Sequence, residues 1–232
     1  MGRAIVAGGK PAMGVPVPPI KGIALSTIAE GSIVKLNENG TPVEFYVAKH
    51  NYESGLNGSG RTLLVRKYLY DTRTWHSSNV NAYASSTIDS WLNGSYKALL
   101  DAEVQEAING TKIYYTPGNG SYSVTTLERA VFLLSAAEYN AANSNVNTEG
   151  SALPIASDLK SATLGSNYTA YTNQWTRTPR TSTTNYVAVM YSSGSINTLM
   201  PYSGGSYGSR PCFTLPATAL FDEETMILKG VA

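Results

Sequence analysis

The segment QWTRTPRTSTTNYVAVMYSSGSINTLMPYSGGSYGSRPCFTLP (Gln174–Pro216) decides how this 232-residue chain folds. Within it, YVAVMY and INTLM flank the turn residues SSGS and read as a β-hairpin. RPCFTLP reads as a closing strand. Arg180 and Arg210 are the nearest charges on either side of residues 181–209, and 21 of those 29 residues are Tyr, Ser, Thr, Gly or Asn. Antibody loops use the same mixture: Tyr gives contact area at small entropic cost, while Ser, Gly and Asn give adaptable hydrogen bonds. At the edges of the stretch, Trp175 is expected to anchor the core. Arg177 and Arg210 are expected to pair with carboxylates or loop carbonyls and so pin the loop ends. Pro179 and Pro211 stiffen the same junctions.

Side chains alternate along a strand, so Val187 and Val189 are expected to face the core. Tyr186, Ala188 and Met190 then share the opposite face, and Tyr191 at the strand end fits either. The candidate ligand contacts are Ser182, Thr184, Asn185, Tyr186, Tyr191, Ser193, Ser195, Asn197, Tyr202, Ser203, Ser206 and Tyr207.

Working backward, SIVKL and VEFYVAKH are β-rich runs joined by NENGTP, whose Asn39-Gly40 is a hairpin signal. RTLLVRK reads as another strand. Ser86 with Asp89 forms a capping box that opens a helix through Ile88, Trp91 and Leu92, which Asn93-Gly94 is expected to close. Ser95 is expected to cap a second helix with Tyr96, Leu99, Leu100, Val104 and Ile108 on one apolar stripe. AVFLLS reads as a buried strand, Ser135 with Glu138 as the cap of a short helix, and TMILKG as a final strand. The pattern is α+β with long loops, and long ordered loops are usually functional. Residues 1–30 are rich in Pro and Gly yet carry Ile5, Val6, Val15, Val17, Ile20, Ile23 and Leu25. They read as an extended arm that packs on a neighbouring subunit, leaving residues 31–232 as the ligand-binding domain.

Composition excludes several function classes. With 42% hydrophobic and 14% charged residues the chain can bury a large core, and its formal net charge of +1 gives no footprint for nucleic acid. The single cysteine, Cys212, excludes a disulfide scaffold and a cysteine-based zinc site. His50 and His76 lack metal-ligand spacing, and the Asp and Glu residues form no calcium-loop series. Neither a signal-peptide h-region nor an apolar run of transmembrane length is present. GGSYG (Gly204–Gly208) matches a nucleophile elbow in letters only, because no His follows it and Pro211 does. GLNGSGR (Gly55–Arg61) lacks the Lys of a phosphate loop. No nucleophile, base or metal set emerges, so the expectation is a protein without catalytic residues, cofactor or metal.

The order QWTRTP, a hairpin rich in Tyr, Ser, Asn and Gly, then YGSRPCFTLP resembles a family of C-type-lectin-like domains in tail proteins of gut-bacterial phages and prophages. The likeness runs back through GSIVKL, YVAKHNYESGLNGSGRTLLVRK and IDSWLN, covering about residues 31–230. Some members of that family are the variable proteins of diversity-generating retroelements. There, adenine-directed mutagenesis randomises codons near the C-terminus, often starting from Asn codons. Lys, Glu, Gln and Trp, which a mutated AAC codon cannot reach, are absent from residues 181–209, whereas Met190 and Met200 must be framework positions. The sugar motifs of calcium-dependent lectins are missing, since Trp175 is followed by Thr-Arg.

The resemblance implies a C-type-lectin-like fold of small antiparallel sheets, two helices and long ligand-binding loops. It implies a non-enzymatic, adhesin-like receptor-binding protein at a virion tail tip, whose 181–209 surface meets a host surface protein or glycan. The alternative is a structural tail-assembly protein. Implied partners are other tail proteins and further copies of this chain, as a trimer by analogy, with neither nucleic-acid binding nor membrane insertion.

Overall fold

The structure is a computed structural model that describes residues 21–199, 201 and 207–231. Strand β1 (Ile23–Ala24) leads into β2 (Ile33–Glu38) and β3 (Thr41–Lys49). The turn between β2 and β3 has positive φ at both Asn39 and Gly40, the geometry that Asn-Gly favours in a two-residue hairpin. A short helix α1 (Ser54–Asn57) precedes β4 (Arg61–Arg66). In β2, Val34, Leu36 and Glu38 are the buried set, so the period-2 pattern puts one face inward. In β4, residues 62–65 are all buried, as a strand covered on both faces requires.

Ser86 caps α2 (Thr87–Trp91), its hydroxyl accepting the Asp89 amide at 3.1 Å. The helix does not stop at Asn93-Gly94. It widens into a π turn over Leu92–Tyr96, tightens to a 3-10 turn over Lys97–Leu99, and breaks at Leu100–Asp101 before α3 (Ala102–Ala107). The stop signal is overridden because the Asn93 side chain is engaged elsewhere. Its amide donates to Val131 O at 2.9 Å, and its oxygen accepts the amides of Ala130 and Val131. The apolar stripe holds in part: Tyr96, Leu100, Val104 and Ile108 are buried, while Leu99 is half-buried.

Strands β5 (Thr111–Tyr115) and β6 (Thr125–Arg129) form a hairpin, and helix α4 (Ala156–Leu159) follows. Then come β7 (Gln174–Pro179), β8 (Val187–Met190), β9 (Ile196–Leu199), β10 (Cys212–Pro216), β11 (Leu220–Phe221) and β12 (Leu228–Gly230). The four-stranded sheet runs β10-β4-β3-β2, with three-stranded sheets β7-β8-β9 and β1-β11-β12 beside it. Every pairing between these strands is antiparallel. The class is therefore α+β. One apolar core joins the sheets through Trp75, Tyr83, Phe132, Trp175 and Phe213.

Three expectations are corrected. AVFLLS (residues 130–135) is buried but is not a regular strand: beyond one bridge from Phe132 to Cys212 and the Arg177 amide on Leu134 O, side chains supply much of its backbone pairing. The Leu133 amide donates to the Tyr83 hydroxyl, and Leu133 O accepts from Arg177. Ala188 and Met190 do not face out. β8 is the central strand of its sheet, and Ala188 packs in a second small cluster with Ala136 and Val146. Finally, the stretch from residue 21 to 30 belongs to the domain rather than to an arm. Ile23 pairs with Phe221, the Leu25 amide bonds Ala219 O at 2.8 Å, Leu25 and Ile28 are buried, and His50 Nε2 lies 2.9 Å from Ile28 O. Residues 1–20 lie outside the described residues.

Candidate binding surface

The frame begins in the core with Arg177 on β7, which is fully buried. Its guanidinium grips the Glu138 carboxylate with both terminal nitrogens, at 2.7 and 3.1 Å. It also donates to Tyr114 O at 2.9 Å and Leu133 O at 2.8 Å. Glu138 is delivered by the Ser135 motif: the serine hydroxyl accepts the Glu138 amide at 3.1 Å, and Glu138 Oε2 accepts the Ser135 amide at 2.7 Å. The reciprocal cap forms, in a turn rather than a helix. Tyr52 donates to Glu138 Oε1 at 2.5 Å. A second buried carboxylate, Glu149, lies 3.8 Å from Arg177 Nε and accepts the Thr116 amide and the Thr178 hydroxyl, each at 2.7 Å. Burial still pushes the Glu149 carboxyl above its ordinary value, against the pull of Arg177. Arg177 itself is held above its ordinary value: burial lowers it, but Glu138, Tyr52 and Glu149 together outweigh that.

Arg210 is the second pin and works differently. It is buried, donates to Leu159 O at 2.7 Å and Lys67 O at 2.9 Å, and desolvation lowers its basicity. Thus Arg177 holds carboxylates and carbonyls, and Arg210 holds carbonyls. Trp175 is buried with its indole N–H on Arg73 O at 2.8 Å, and its ring meets Tyr207 edge-on at 5.0 Å.

The loop between β7 and β8 hangs from a residue that sequence reading passed over. Asn81 is fully buried, and its amide nitrogen donates to Thr183 O and Tyr186 O at 3.0 Å and to Arg180 O at 3.4 Å. Its backbone N–H donates to Thr184 O at 2.9 Å. Its side-chain oxygen accepts the Asn119 amide at 2.8 Å. Gly118 permits that approach: a Cβ there would lie 2.4 Å from Asn81 O, and its φ of +85° suits only glycine. Nothing local in HSSNVNAY marks Asn81 as a cap for a loop about a hundred residues away, so no sequence signal could have found it.

On this frame Ser182, Thr184, Ser193, Ser195 and Asn197 are exposed, and Asn185, Tyr186, Tyr191 and Tyr207 are half-buried. Tyr202, Ser203 and Ser206 lie outside the described residues. The structure divides the described candidates between two places at opposite ends of β8. One is residues 182–186 around Asn81, where Arg180 lies over the Tyr186 ring at 5.7 Å. The other is the β8–β9 turn, where Asn197 donates to the Tyr191 hydroxyl at 3.1 Å and Ser193 and Ser195 pair at 2.9 Å. Ser161 donates to Ser192 O at 2.8 Å, which places the loop bearing the exposed Tyr168 and Tyr171 beside this turn.

Elsewhere a polar cleft of about 640 Å³ is lined by Asp89, Asn93, Lys97, Glu128 and Arg129. Arg129 Nε meets both Asp89 oxygens at 2.9 Å, yet burial of Asp89 outweighs that attraction and pushes its carboxyl from 3.8 to about 6. A carboxyl raised in the folded state contributes stability that is fully present below its unfolded pKa and is lost as pH rises through the folded one. Wild type is therefore expected to lose on the order of 2–3 kcal/mol from this group between pH 3.8 and about 6. Urea denaturation at pH 4 and pH 7 should show a smaller difference for Asp89→Asn than for wild type. Equal differences would remove Asp89 as the cause.

Residues 59–217, more than half of the chain, match a family model described as "Domain of unknown function (DUF6273)". The chain belongs to the DUF6273 family. No curated protein and no solved structure matches it. The matched span starts just before β4 and ends one residue after β10, and these two strands pair from Arg61↔Pro216 to Val65↔Cys212. The DUF6273 unit thus closes on itself in the four-stranded sheet, with Arg177, Arg210, Asn81 and the loop face all inside it. Among the described residues no group of three or more His, Cys, Asp or Glu could hold a metal ion, and no helix is long and apolar enough to cross a membrane.

Proposed function

We propose that this DUF6273 domain is a non-enzymatic receptor-binding protein of a phage or prophage tail, with a C-type-lectin-like fold, and that it meets a host surface ligand through residues 181–209. The observation that carries the reading is the contrast between frame and surface. Backbone at the loop ends is fixed by buried Arg177, Arg210 and Asn81, whereas Ser182, Thr184, Ser193, Ser195 and Asn197 point to solvent without a charge among them. Binding loops are mounted this way, because a rigid frame removes the ordering cost from the binding step. A single site of this kind binds weakly, on the order of micromolar to millimolar. Several copies on one tail gain avidity of ~10²–10⁴, which is the role we assign to assembly as a homo-oligomer, by analogy a trimer, through residues 1–20.

The test compares wild type with a Tyr186→Ala/Tyr191→Ala variant for binding to a panel of gut-bacterial cells. Wild type is expected to bind and the variant to lose at least tenfold in affinity while unfolding as cooperatively as wild type. Equal binding by both would assign the surface to tail assembly instead.

A further inference from the structure

We infer that the recognition surface is larger than the C-terminal stretch: it extends from residues 182–186 onto loops 77–79, 119–123 and 143–145, and its partner is an uncharged patch of a folded protein. This rests on the receptor-binding reading above. Hydrogen bonds from the Asn81 side chain and from the backbone stitch the four segments together. Asn81, which follows the first loop, ties the Arg180, Thr183 and Tyr186 carbonyls to the Asn119 amide. The Gly120 amide donates to Thr183 O at 2.9 Å, and the Thr181 amide donates to Asn145 O at 2.9 Å. A bridge joins Val146 to Arg180. The segments are therefore tied to one another side by side.

The display is uniform in chemistry. Asn79, Asn119, Tyr122, Asn143, Ser144 and Thr184 are exposed, and the Tyr122 side chain is 67% accessible, the largest value among the exposed large hydrophobics. No Asp, Glu, Lys or Arg occurs in residues 74–88, 113–127 or 139–148, nor in 181–209. A free tyrosine ring among Asn and Ser side chains is the composition of a protein-binding paratope. A small ligand, by contrast, is enclosed in a concave cleft. The clefts of about 640 and 560 Å³ are lined by other residues, around Arg129 and Lys67. The patch carries one positive charge at its margin, Arg180 over the Tyr186 ring, so a strongly charged partner surface would be desolvated with little opposite it.

The experiment measures binding of wild type, Tyr122→Ala and Tyr186→Ala to the same cell panel. Cells are used untreated, trypsin-treated or periodate-oxidised, in 50 and 500 mM salt. We expect Tyr122→Ala to weaken binding about tenfold with unchanged thermal unfolding. Trypsin should abolish binding, periodate should leave it intact, and the salt change should alter it less than threefold. Wild-type affinity for Tyr122→Ala alongside a defect in Tyr186→Ala overturns the extension and leaves the receptor-binding reading standing. Loss on periodate but not trypsin makes the partner a glycan and overturns the protein assignment, as does a tenfold salt effect. Wild type that binds no member of the panel overturns both readings.

Discussion

Arg177→Ala is expected to be the most damaging single substitution in this protein, costing about 3–5 kcal/mol of folding stability. Among the described residues the guanidinium is the sole counter-charge within ion-pair reach of two fully buried carboxylates, Glu138 and Glu149. Its removal also strips hydrogen bonds from Tyr114 O and Leu133 O. Against a total of roughly 5–15 kcal/mol for a domain, that loss lowers Tm by about 6–20 °C at the size of this chain. Arg177→Lys should recover little, since a point charge cannot span both Glu138 oxygens and two carbonyls. Without the arginine Glu149, which burial already raises, would take up a proton more readily, so the variant should regain stability as pH falls. Urea denaturation at pH 5 and pH 7.5 checks both statements. A loss below about 1 kcal/mol would mean that water reaches the site once the arginine is gone.

Removing residues 2–28 is expected to unfold or severely weaken the domain, while removing residues 2–20 leaves its described contacts in place. The longer deletion takes β1 from the edge of the β1-β11-β12 sheet and withdraws Leu25 and Ile28 from the core. Burial of an aliphatic side chain is worth about 1.5–3 kcal/mol, so the two side chains alone account for roughly 3–6 kcal/mol. Lost with them are the bonds from Leu25 to Ala219 and from Ser26 to Ala217. Any test of assembly by the N-terminal segment must therefore stop at residue 20. Circular dichroism melts of the two deletions separate the cases, and equal melting temperatures would show that β1 contributes nothing. Light scattering on the shorter deletion then reads assembly free of misfolding.

Sequence by itself determined the features whose cause lies within a few residues. Asn39-Gly40 demanded a left-handed pair and made the β2–β3 hairpin. Ser86 and Ser135 each sat three residues before an acid, and both cap the amide of that residue. The absence of charge from residues 181–209 was readable directly, and so was the need for pins at Trp175, Arg177 and Arg210. Tertiary structure alone decided what those pins hold. Arg177 reaches Glu138 across 39 residues, and Asn81 reaches Tyr186 across 105, distances at which no periodicity or cap motif carries information. It also decided the fate of Ala188 and Met190. Alternation assumes one solvated face, and β8 has none, because Ala188 packs on Ala136 and Val146 while its valines face the main core. Asn93-Gly94 failed as a stop for the same reason: local propensity is worth about 1 kcal/mol, and three hydrogen bonds from Asn93 to the 130–131 backbone outweigh it.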